Sequence, residues 1–239
     1  MAILYNVKMN KIDVSIIIPA YEEAENLKEI LPKLSEIMKS SGYSYEILVI
    51  DTIEATDNTE EICLKSNVTY IKRQEGNNYC NAVETGIKST NGIKTIFMDA
   101  DGSHSPEFLL ELLKYKDDFD VVIASRYIDG GKTDNNFILK ILSQTLNKTY
   151  GFFLGLNCKD ISNSLKLYDT KQLKELNLKC ENFDIIEEIL FKLNKHNKNF
   201  KIKEIPYYFK NRKHGKTKRN LISFTLSYIY TLIKLKFSD

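Results

Sequence analysis

The sequence predicts an α/β fold in which a mostly parallel sheet is flanked by helices on both faces. Short apolar runs of strand length alternate with segments of helical periodicity through about residue 125. Polar residues cluster where the predicted strands end. With 239 residues, of which 43% are hydrophobic and 28% charged, the chain has the composition of a globular domain of ordinary size. Strands that alternate with helices pair in parallel through right-handed crossovers, which gives this architecture.

The elements follow in chain order. Predicted strands cover residues 14–19, 45–50, 68–71, 93–98 and 120–124. Predicted helices cover residues 22–39, 56–64, 81–88 and 106–115, the first of them because leucine and isoleucine recur there at helical spacing. Past a turn at Gly130-Gly131 the alternation fades. We expect a helix over 137–154, a strand over 164–168, a helix over 185–193 and a strand or hairpin arm over 200–209.

Composition and charge indicate the kind of partner and the cellular compartment of the protein. The formal net charge is +2, but the last third is more basic than the first, which favours an anionic partner near the C-terminus. The four cysteines are widely spaced and fit neither a zinc site nor a disulfide framework, so we expect free thiols in a reducing cytoplasm. We find no signal peptide and no apolar run of about 18 residues that would span a membrane. We expect no nucleic-acid partner.

One short stretch carries the strongest chemical signal. The apolar run 93–98 leads directly into Asp99 and Asp101. Two carboxylates at the end of a buried strand are costly unless they are neutralised, and oxygen ligands suit Mg²⁺ or Mn²⁺. The alternative is that Asp99 ends the strand and that Asp101 or Ser103 caps the next helix.

Other polar residues follow neighbouring strands. Tyr21 and Glu23 follow the first strand, Asp51 the second, and Ser125 with Arg126 the fifth. A nucleotide should bind at this edge, because open α/β sheets bind ligands at the carboxyl ends of their strands. The chain contains no GxGxxG after the first strand and no GxxxxGK[ST], which disfavours a dinucleotide site and a P-loop.

Four ordered motifs resemble a known family. They are Ile18-Pro19-Ala20-Tyr21-Glu22-Glu23-Ala24-Glu25-Asn26-Leu27, Met98-Asp99-Ala100-Asp101-Gly102-Ser103-His104, Ala124-Ser125-Arg126-Tyr127 with Gly130-Gly131, and Glu204-Ile205-Pro206 followed by the basic residues 212–218. The set resembles the inverting family-two glycosyltransferases of the A-type fold, and most of all their dolichol-phosphate mannose synthase and polyprenyl-phosphate sugar transferase branch. The resemblance implies a catalytic domain over 1–218, with an acceptor-side extension that ends in an amphipathic helix over 219–239.

The resemblance also implies residue roles. Asp99, Asp101 and Arg126 would be catalytic, and Asp99, Asp101 and Ser103 would hold Mg²⁺ or Mn²⁺. The donor site would comprise Pro19, Tyr21, Glu23, Asp51, Asp99, Ala100, Asp101, Arg212 and Lys218. The acceptor phosphate would meet Ser125, Arg126, Lys140 and Lys216. The donor would be GDP-mannose or UDP-glucose, and the acceptor a polyprenyl or dolichyl phosphate.

Two motifs depart from the family pattern. The second strand ends in Asp51-Thr52 rather than in two aspartates. The Thr-Ser-Gly-Phe-Arg that follows an aspartate in the family is replaced by residues 161–166, which end in Lys166. Two alternatives therefore stay open: a transferase that acts on a sugar hydroxyl, or a non-catalytic protein that binds sugar nucleotides.

Remaining candidates have competing interpretations. Asp160, Glu187 and Glu188 are possible bases for a hydroxyl acceptor, but we favour a capped turn or an exposed helix face for them. The three histidines, His104, His196 and His214, are too scattered to form a ligand set, and we expect them at the surface.

The C-terminal stretch is basic, aromatic and amphipathic. Residues 221–237 have the length of a helix, which would lie in a membrane interface or pack on the core. We expect the protein in the cytoplasm, bound peripherally to the cytoplasmic face of a membrane.

Overall fold

The computed structural model of the protein describes residues 11–179, 183–215 and 230–236. Its centre is a seven-stranded sheet in the order β3-β2-β1-β4-β7-β5-β8. The strands are β1 Val14–Pro19, β2 Tyr45–Asp51, β3 Thr69–Lys72, β4 Lys94–Phe97, β5 Val121–Ser125, β7 Lys166–Asp169 and β8 Ile202–Pro206. A small second sheet pairs β6 Lys132–Thr133 with β9 Tyr208–Phe209.

Seven helices in the described residues connect these strands. They are α1 Ala24–Ser40, α2 Thr59–Lys65, α3 Tyr79–Ser89, α4 Phe108–Leu113, α5 Phe137–Leu154, α6 Thr170–Lys174 and α7 Ile185–His196. None of the helices in these described ranges is both long enough and apolar enough to cross a membrane.

The core lies on both faces of the sheet, as predicted. All six residues of β1 are buried, which explains their continuous apolar run. One apolar cluster joins α1, α2 and α4 to the sheet, and a second joins α3, α5 and α7 to the other face. The interior therefore has the layered arrangement of an α/β fold.

Strand β7 is the exception to the parallel pairing. It runs antiparallel to β4 on one side and to β5 on the other. The remaining pairs of the large sheet are parallel. The sheet is thus mostly parallel, and β7 brings the residues before it to the same edge as the ends of β4 and β5.

Part of the predicted C-terminal extension lies outside the described residues. This applies to Lys216, Lys218 and most of the predicted helix over 219–239. Its described segment, residues 230–236, is helical. Leu235 is buried there in the second cluster, and Thr231 donates a hydrogen bond to Asp184. This segment therefore packs on the core, which is one of the two interpretations given for the predicted helix.

Candidate functional site

The parallel pairing brings the predicted donor residues to one edge of the sheet. Pro19 lies opposite Ile50 in the pairing of β1 with β2, and Met98 N donates to Ile17 O where β4 ends. Because adjacent parallel strands end together, the segments that carry Tyr21, Asp51 and Asp99 leave the sheet side by side. The expected clustering of polar residues is confirmed in this respect.

The two central aspartates each have one oxygen held by a serine. Asp99 Oδ1 accepts a hydrogen bond from Ser164 Oγ at 2.9 Å. Asp101 Oδ1 accepts from Ser103 Oγ at 2.6 Å and from Ser103 N at 3.0 Å. Burial acts to raise the pKa of Asp101, but the bonds from Ser103 and the charge of Arg212 lower that pKa below its ordinary value. Asp101 therefore favours its ionised form.

His104 is buried, so the expectation that it lies at the surface is wrong. It is 1% exposed, and its Nδ1 accepts a hydrogen bond from Asp99 N at 2.9 Å. Its Nε2 is buried without a hydrogen-bond partner and lies 3.8 Å from Asp99 Oδ2. The ring packs edge-on against Tyr207 and Phe209. His196 and His214 are exposed, as predicted.

The contact of His104 with Asp99 has one signal in the sequence, since His104 lies five residues after Asp99 in the same motif. Spacing alone does not show that a turn folds the imidazole back onto the strand end. The residue therefore supports the aspartate pair rather than belonging to a histidine ligand set.

The basic loop after β9 crosses over the aspartates. Arg212 Nη2 lies 2.8 Å from Glu23 Oε1 and 3.5 Å from Asp101 Oδ2. Lys213 N donates to Asp101 O at 3.0 Å. Asn26 Nδ2 donates to Glu23 Oε2 at 2.6 Å, which fixes that carboxylate. The fold thus brings Arg212 to Glu23 and Asp101 from a position much later in the chain.

Asp51 is fully buried at the end of β2, beside Tyr70 of β3. Its Oδ2 accepts from Tyr70 Oη at 3.2 Å, whereas Oδ1 is buried without a partner. Burial raises the pKa of Asp51. Arg73 is also buried and donates to Ala20 O, which joins the ends of β1 and β3. Thr52, at the family's second aspartate, donates to Glu54 O at 2.6 Å.

Arg126 is held by a buried ion pair. Asp160 Oδ2 accepts from Arg126 N at 2.7 Å and from Nε at 2.8 Å, and Oδ1 accepts from Nη2 at 2.6 Å. Asp160 itself is fully buried. Ser125 Oγ donates to Glu204 Oε1 at 2.7 Å, and Glu204 also accepts from Asp160 N. Asp160 therefore fixes the arginine, which differs from the capped turn that was favoured for it from the sequence.

The other acid candidates and Lys140 lie elsewhere. Glu187 and Glu188 are buried on α7, so the exposed helix face expected for them is wrong. Glu188 pairs with Lys192 at 2.6 Å. Lys140 is exposed on α5. That helix reaches the arginine through Asn147, whose Nδ2 lies 3.0 Å from the same Ser162 Oγ that accepts from Arg126 Nη2.

The donor set of Asp99 and Asp101 fits a hard divalent cation. It consists of carboxylate oxygens, and one oxygen of each carboxylate is oriented by a hydroxyl. Among the described residues no group of three or more His, Cys, Asp or Glu side chains could hold a metal. Mg²⁺ is commonly bound through one or two carboxylates, with substrate phosphates and waters completing its coordination.

Comparison with known proteins places this site in a family. The family model described as glycosyl transferase family 2 matches residues 15–176, which includes Asp51, both central aspartates, Arg126 and Asp160. The chain belongs to glycosyl transferase family 2.

Two curated relatives from this comparison are similar over most of the chain. A dolichol-phosphate mannosyltransferase of Pyrococcus furiosus is 32% identical, and the match covers 92% of this chain but 64% of that protein. The chain thus spans less than two thirds of that relative. A polyprenol monophosphomannose synthase of Mycolicibacterium smegmatis is 30% identical, and the match covers 85% of this chain and 79% of the relative.

Solved structures confirm the fold. The glucosyl-3-phosphoglycerate synthase of Mycobacterium tuberculosis, in complex with Mn²⁺, UDP and phosphoglyceric acid, matches with a TM-score of 0.74. The match covers 95% of this chain and 79% of that one, at 16% identity. This family 2 chain therefore has the A-type glycosyltransferase fold that the motifs implied.

Proposed function

We propose that the protein transfers a hexose, most naturally mannose, from a nucleotide sugar to a polyprenyl phosphate with inversion at the anomeric carbon. The observation that carries the proposal is the aspartate pair at the carboxyl edge of the sheet, crossed by Arg212. The two curated relatives are named for transfer of mannose to such lipids, which supports the choice of acceptor and sugar.

On the donor side, Asp99 and Asp101 would hold Mg²⁺ or Mn²⁺, which supplies positive charge to the diphosphate when bound. Arg212, and Lys218 beyond the described residues, would add cationic contacts to that diphosphate. Glu23, bonded to both Asn26 and Arg212, would orient the arginine. The remaining donor residues of the proposal are Pro19, Tyr21, Asp51 and Ala100, and a metal role for Ser103 would act through its bonds to Asp101.

Asp51 is suited to meet the nucleoside. Its second oxygen is buried without a hydrogen-bond partner, and such an oxygen is costly to leave unpaired. A donor group of the base or ribose would satisfy it. GDP-mannose and UDP-glucose both offer such groups, so the assay below tests both.

On the acceptor side, Arg126 would bind the lipid phosphate, together with Ser125, Lys140 and Lys216. Asp160 accepts three hydrogen bonds from Arg126, one from its backbone N–H and two from its guanidinium, which fixes the guanidinium before substrate binds. A phosphomonoester has a second pKa near about 6 and is already a charged nucleophile at neutral pH. A strong general base is then unnecessary, which agrees with the engagement of Asp160 by Arg126.

The test is a transfer assay with the full chain, Mn²⁺, a polyprenyl phosphate and either labelled GDP-mannose or labelled UDP-glucose. We expect label in the lipid product with one donor. Asp101→Asn should lower transfer by about 100-fold or more, because it removes a carboxylate that would hold the metal, whose positive charge would stabilise the leaving diphosphate. Asp117→Asn, an exposed aspartate with a 73% exposed side chain, is the matched control and should transfer normally.

Other results would contradict the proposal. Nucleotide binding without transfer to the lipid would favour a hydroxyl acceptor. The absence of nucleotide binding would favour a non-catalytic protein. The cytoplasmic face of a membrane is the proposed location, because nucleotide sugar and lipid phosphate would meet there.

A further inference from the structure

A short stretch of chain, residues 160–166, runs between the two halves of the candidate site, and we call it the bridging segment. Its last residue, Lys166, begins β7 and lies opposite Phe97 of β4 and Ile123 of β5. Because β7 is antiparallel to both neighbours, the residues before Lys166 lie beside the residues that follow these two strands. The bridging segment therefore passes between the aspartate pair and the arginine proposed for the acceptor phosphate.

The bridging segment contacts both halves of the site through its side chains. On the acceptor side, Asp160 accepts two hydrogen bonds from the Arg126 guanidinium, and Ser162 Oγ accepts a third at 3.0 Å. On the metal side, Ser164 Oγ donates to Asp99 Oδ1 at 2.9 Å. The hydroxyl that contacts the arginine and the hydroxyl that contacts the aspartate thus belong to residues only two positions apart.

The bridging segment is itself held by buried hydrogen bonds. Asn163 is 2% exposed, and its Nδ2 donates to Ala124 O at 2.5 Å. Lys166 is fully buried, and its Nζ donates to Ile161 O at 2.5 Å. These bonds anchor the chain on both sides of Ser164. The serine hydroxyl is therefore fixed in position before any ligand binds, which is what an outer group needs in order to orient a ligating carboxylate.

The hydroxyl of Ser164 is not implied by the family motif. In that motif a glycine stands two positions before the arginine, and Lys166 takes the place of the arginine here. Ser164 therefore takes the place of the glycine, which has no side chain that could donate to Asp99. The contact comes from the structure and not from the resemblance.

The bond from Ser164 restricts how the Asp99 carboxylate can turn. With Oδ1 engaged by the hydroxyl, rotation about the last side-chain bond of Asp99 would break a hydrogen bond. The other oxygen, Oδ2, lies 3.8 Å from His104 Nε2, which is beyond hydrogen-bond distance. Ser164 is thus the side chain that sets the orientation of this carboxylate from the acceptor side.

We propose that Ser164 is a positioning residue for Asp99, and that the bridging segment sets the spacing between the bound cation and the acceptor phosphate. The proposal rests on the proposed function, since it takes Asp99 as a ligand of Mg²⁺ or Mn²⁺ and Arg126 as the phosphate contact. A fixed spacing matters for transfer, because a misplacement of about 1 Å can slow such a step about 100-fold.

Mn²⁺ binding tests the role of Ser164 directly. The full chain is titrated with Mn²⁺ in the presence of GDP or UDP, and free Mn²⁺ is measured by electron paramagnetic resonance. Ser164→Ala should weaken Mn²⁺ binding about tenfold, because it removes the group that orients a metal-binding carboxylate. Ser164→Thr keeps the hydroxyl and should recover part of the loss.

Ser89→Ala is the matched control. Ser89 is also partly buried, and its Oγ donates to Thr85 O at 2.7 Å. It ends α3 ahead of β4, whereas Asp99 follows β4, so Ser89 lies at the opposite edge of the sheet from the site. We expect S89A to bind Mn²⁺ as the unchanged protein does.

Two further variants test the bridging segment as a whole. Ser162→Ala removes a contact to Arg126, so it should raise the KM for polyprenyl phosphate about fivefold and leave Mn²⁺ affinity unchanged. S164A should show the reverse pattern at saturating Mn²⁺, with an unchanged KM for the lipid phosphate. Asn163→Ala releases the backbone between the two serines and should change both quantities.

Several results would overturn the proposal. Equal Mn²⁺ affinities of S164A and S89A would do so, as would S164T binding Mn²⁺ no more tightly than S164A. An equal loss of Mn²⁺ affinity in S162A and S164A would also contradict it, because the loss would then come from general loosening of the segment. If N163A changes only one of the two quantities, the segment does not set the spacing between the two halves.

Failure of the positioning role and failure of the proposed function give different results, because Mn²⁺ binding requires no transfer. Weaker Mn²⁺ binding in S164A, with no transfer to lipid phosphate by the unchanged protein, would contradict the transferase function and leave the positioning role in place. Transfer by the unchanged protein, with S164A equal to it in Mn²⁺ affinity, would contradict the positioning role alone.

Discussion

A single buried imidazole shapes the candidate metal site. His104 accepts the backbone N–H of Asp99 and packs against two aromatic rings of the strand region after residue 206. Because Nδ1 is the acceptor, the neutral ring carries its proton on Nε2, toward Asp99 Oδ2 at 3.8 Å. His104 is thus a positioning residue for the aspartate.

Substitution of His104 tests this role. His104→Phe keeps a ring but leaves the part-buried Asp99 N–H without its acceptor, which should lower the free energy of unfolding by about 1 kcal/mol or more. His104→Asn keeps an oxygen near the position of Nδ1 and should recover part of that loss. Urea unfolding measures the stability, and electron paramagnetic resonance measures Mn²⁺ binding in the presence of nucleoside diphosphate.

The exposed His196 provides the control, because H196F removes an imidazole without a buried partner. We expect weaker Mn²⁺ binding in H104F, partial recovery in H104N and no change in H196F. Equal stability and Mn²⁺ affinity of H104F and H104N would refute the positioning role.

Individual residues differ in how far sequence can predict them. Asp99 and Asp101 are identifiable because they follow a buried strand directly. The pairing of Arg126 with Asp160 cannot be identified from the sequence, because the two residues are 34 positions apart and an antiparallel strand brings them together. Burial of Glu187 and Glu188 was also missed, since charged residues on a helix usually face solvent.

At the level of elements, local sequence pattern was sufficient to predict the longer helices but not the short helix α6, and it was insufficient to predict strand direction. The predicted helix over 137–154 is confirmed at both ends. Asn136 caps its first turn, and Gly155 ends it with a φ of 67°. The antiparallel direction of β7 was not predictable, because it depends on which strands lie beside it and not on its own residues.

The cap of α5 can be tested by itself. Asn136 Oδ1 accepts from Leu139 N at 2.9 Å. Asn136→Ala should destabilise the protein by about 1 kcal/mol, because it leaves an N–H of the first turn without its side-chain partner. Asn136→Asp keeps the acceptor and serves as the control in urea unfolding. An equal loss in both variants would show that the cap does not stabilise the helix.

At the scale of the whole molecule, the free-energy cost of burying one lysine should appear in the pH dependence of the free energy of unfolding. Lys166 lies fully buried on β7, and its Nζ donates to Ile161 O at 2.5 Å. Burial lowers the pKa of Lys166 to about 8, although nearby acidic groups act to raise it. At a pH between this lowered pKa and the usual lysine pKa, Lys166 is protonated in the unfolded chain and neutral in the folded chain.

Stability should therefore rise with pH across this window, from about pH 8 to about pH 10.5, by up to about 3 kcal/mol from this group. Below pH 8 both states carry the charge and the full cost of burial applies. Unfolding curves measured from pH 7 to 10 for Lys166→Met should lack this rise.

Lys65→Met, which removes an exposed lysine of α2, is the control, and its stability curve should run parallel to that of the unchanged protein. If the curve of K166M runs parallel as well, the proton linkage assigned to Lys166 is wrong.

The loop that carries Arg212 has a consequence for biosynthesis. Arg212 pairs with Glu23 across 189 positions, and Lys213 pairs with Glu29 across 184. A ribosome extends a chain at about 5–20 residues per second and releases its N-terminal part first. Many seconds therefore pass between synthesis of the carboxylates of the first helix region and synthesis of their cationic partners, and a nascent chain cannot assemble this edge until the loop that carries Arg212 and Lys213 has been translated.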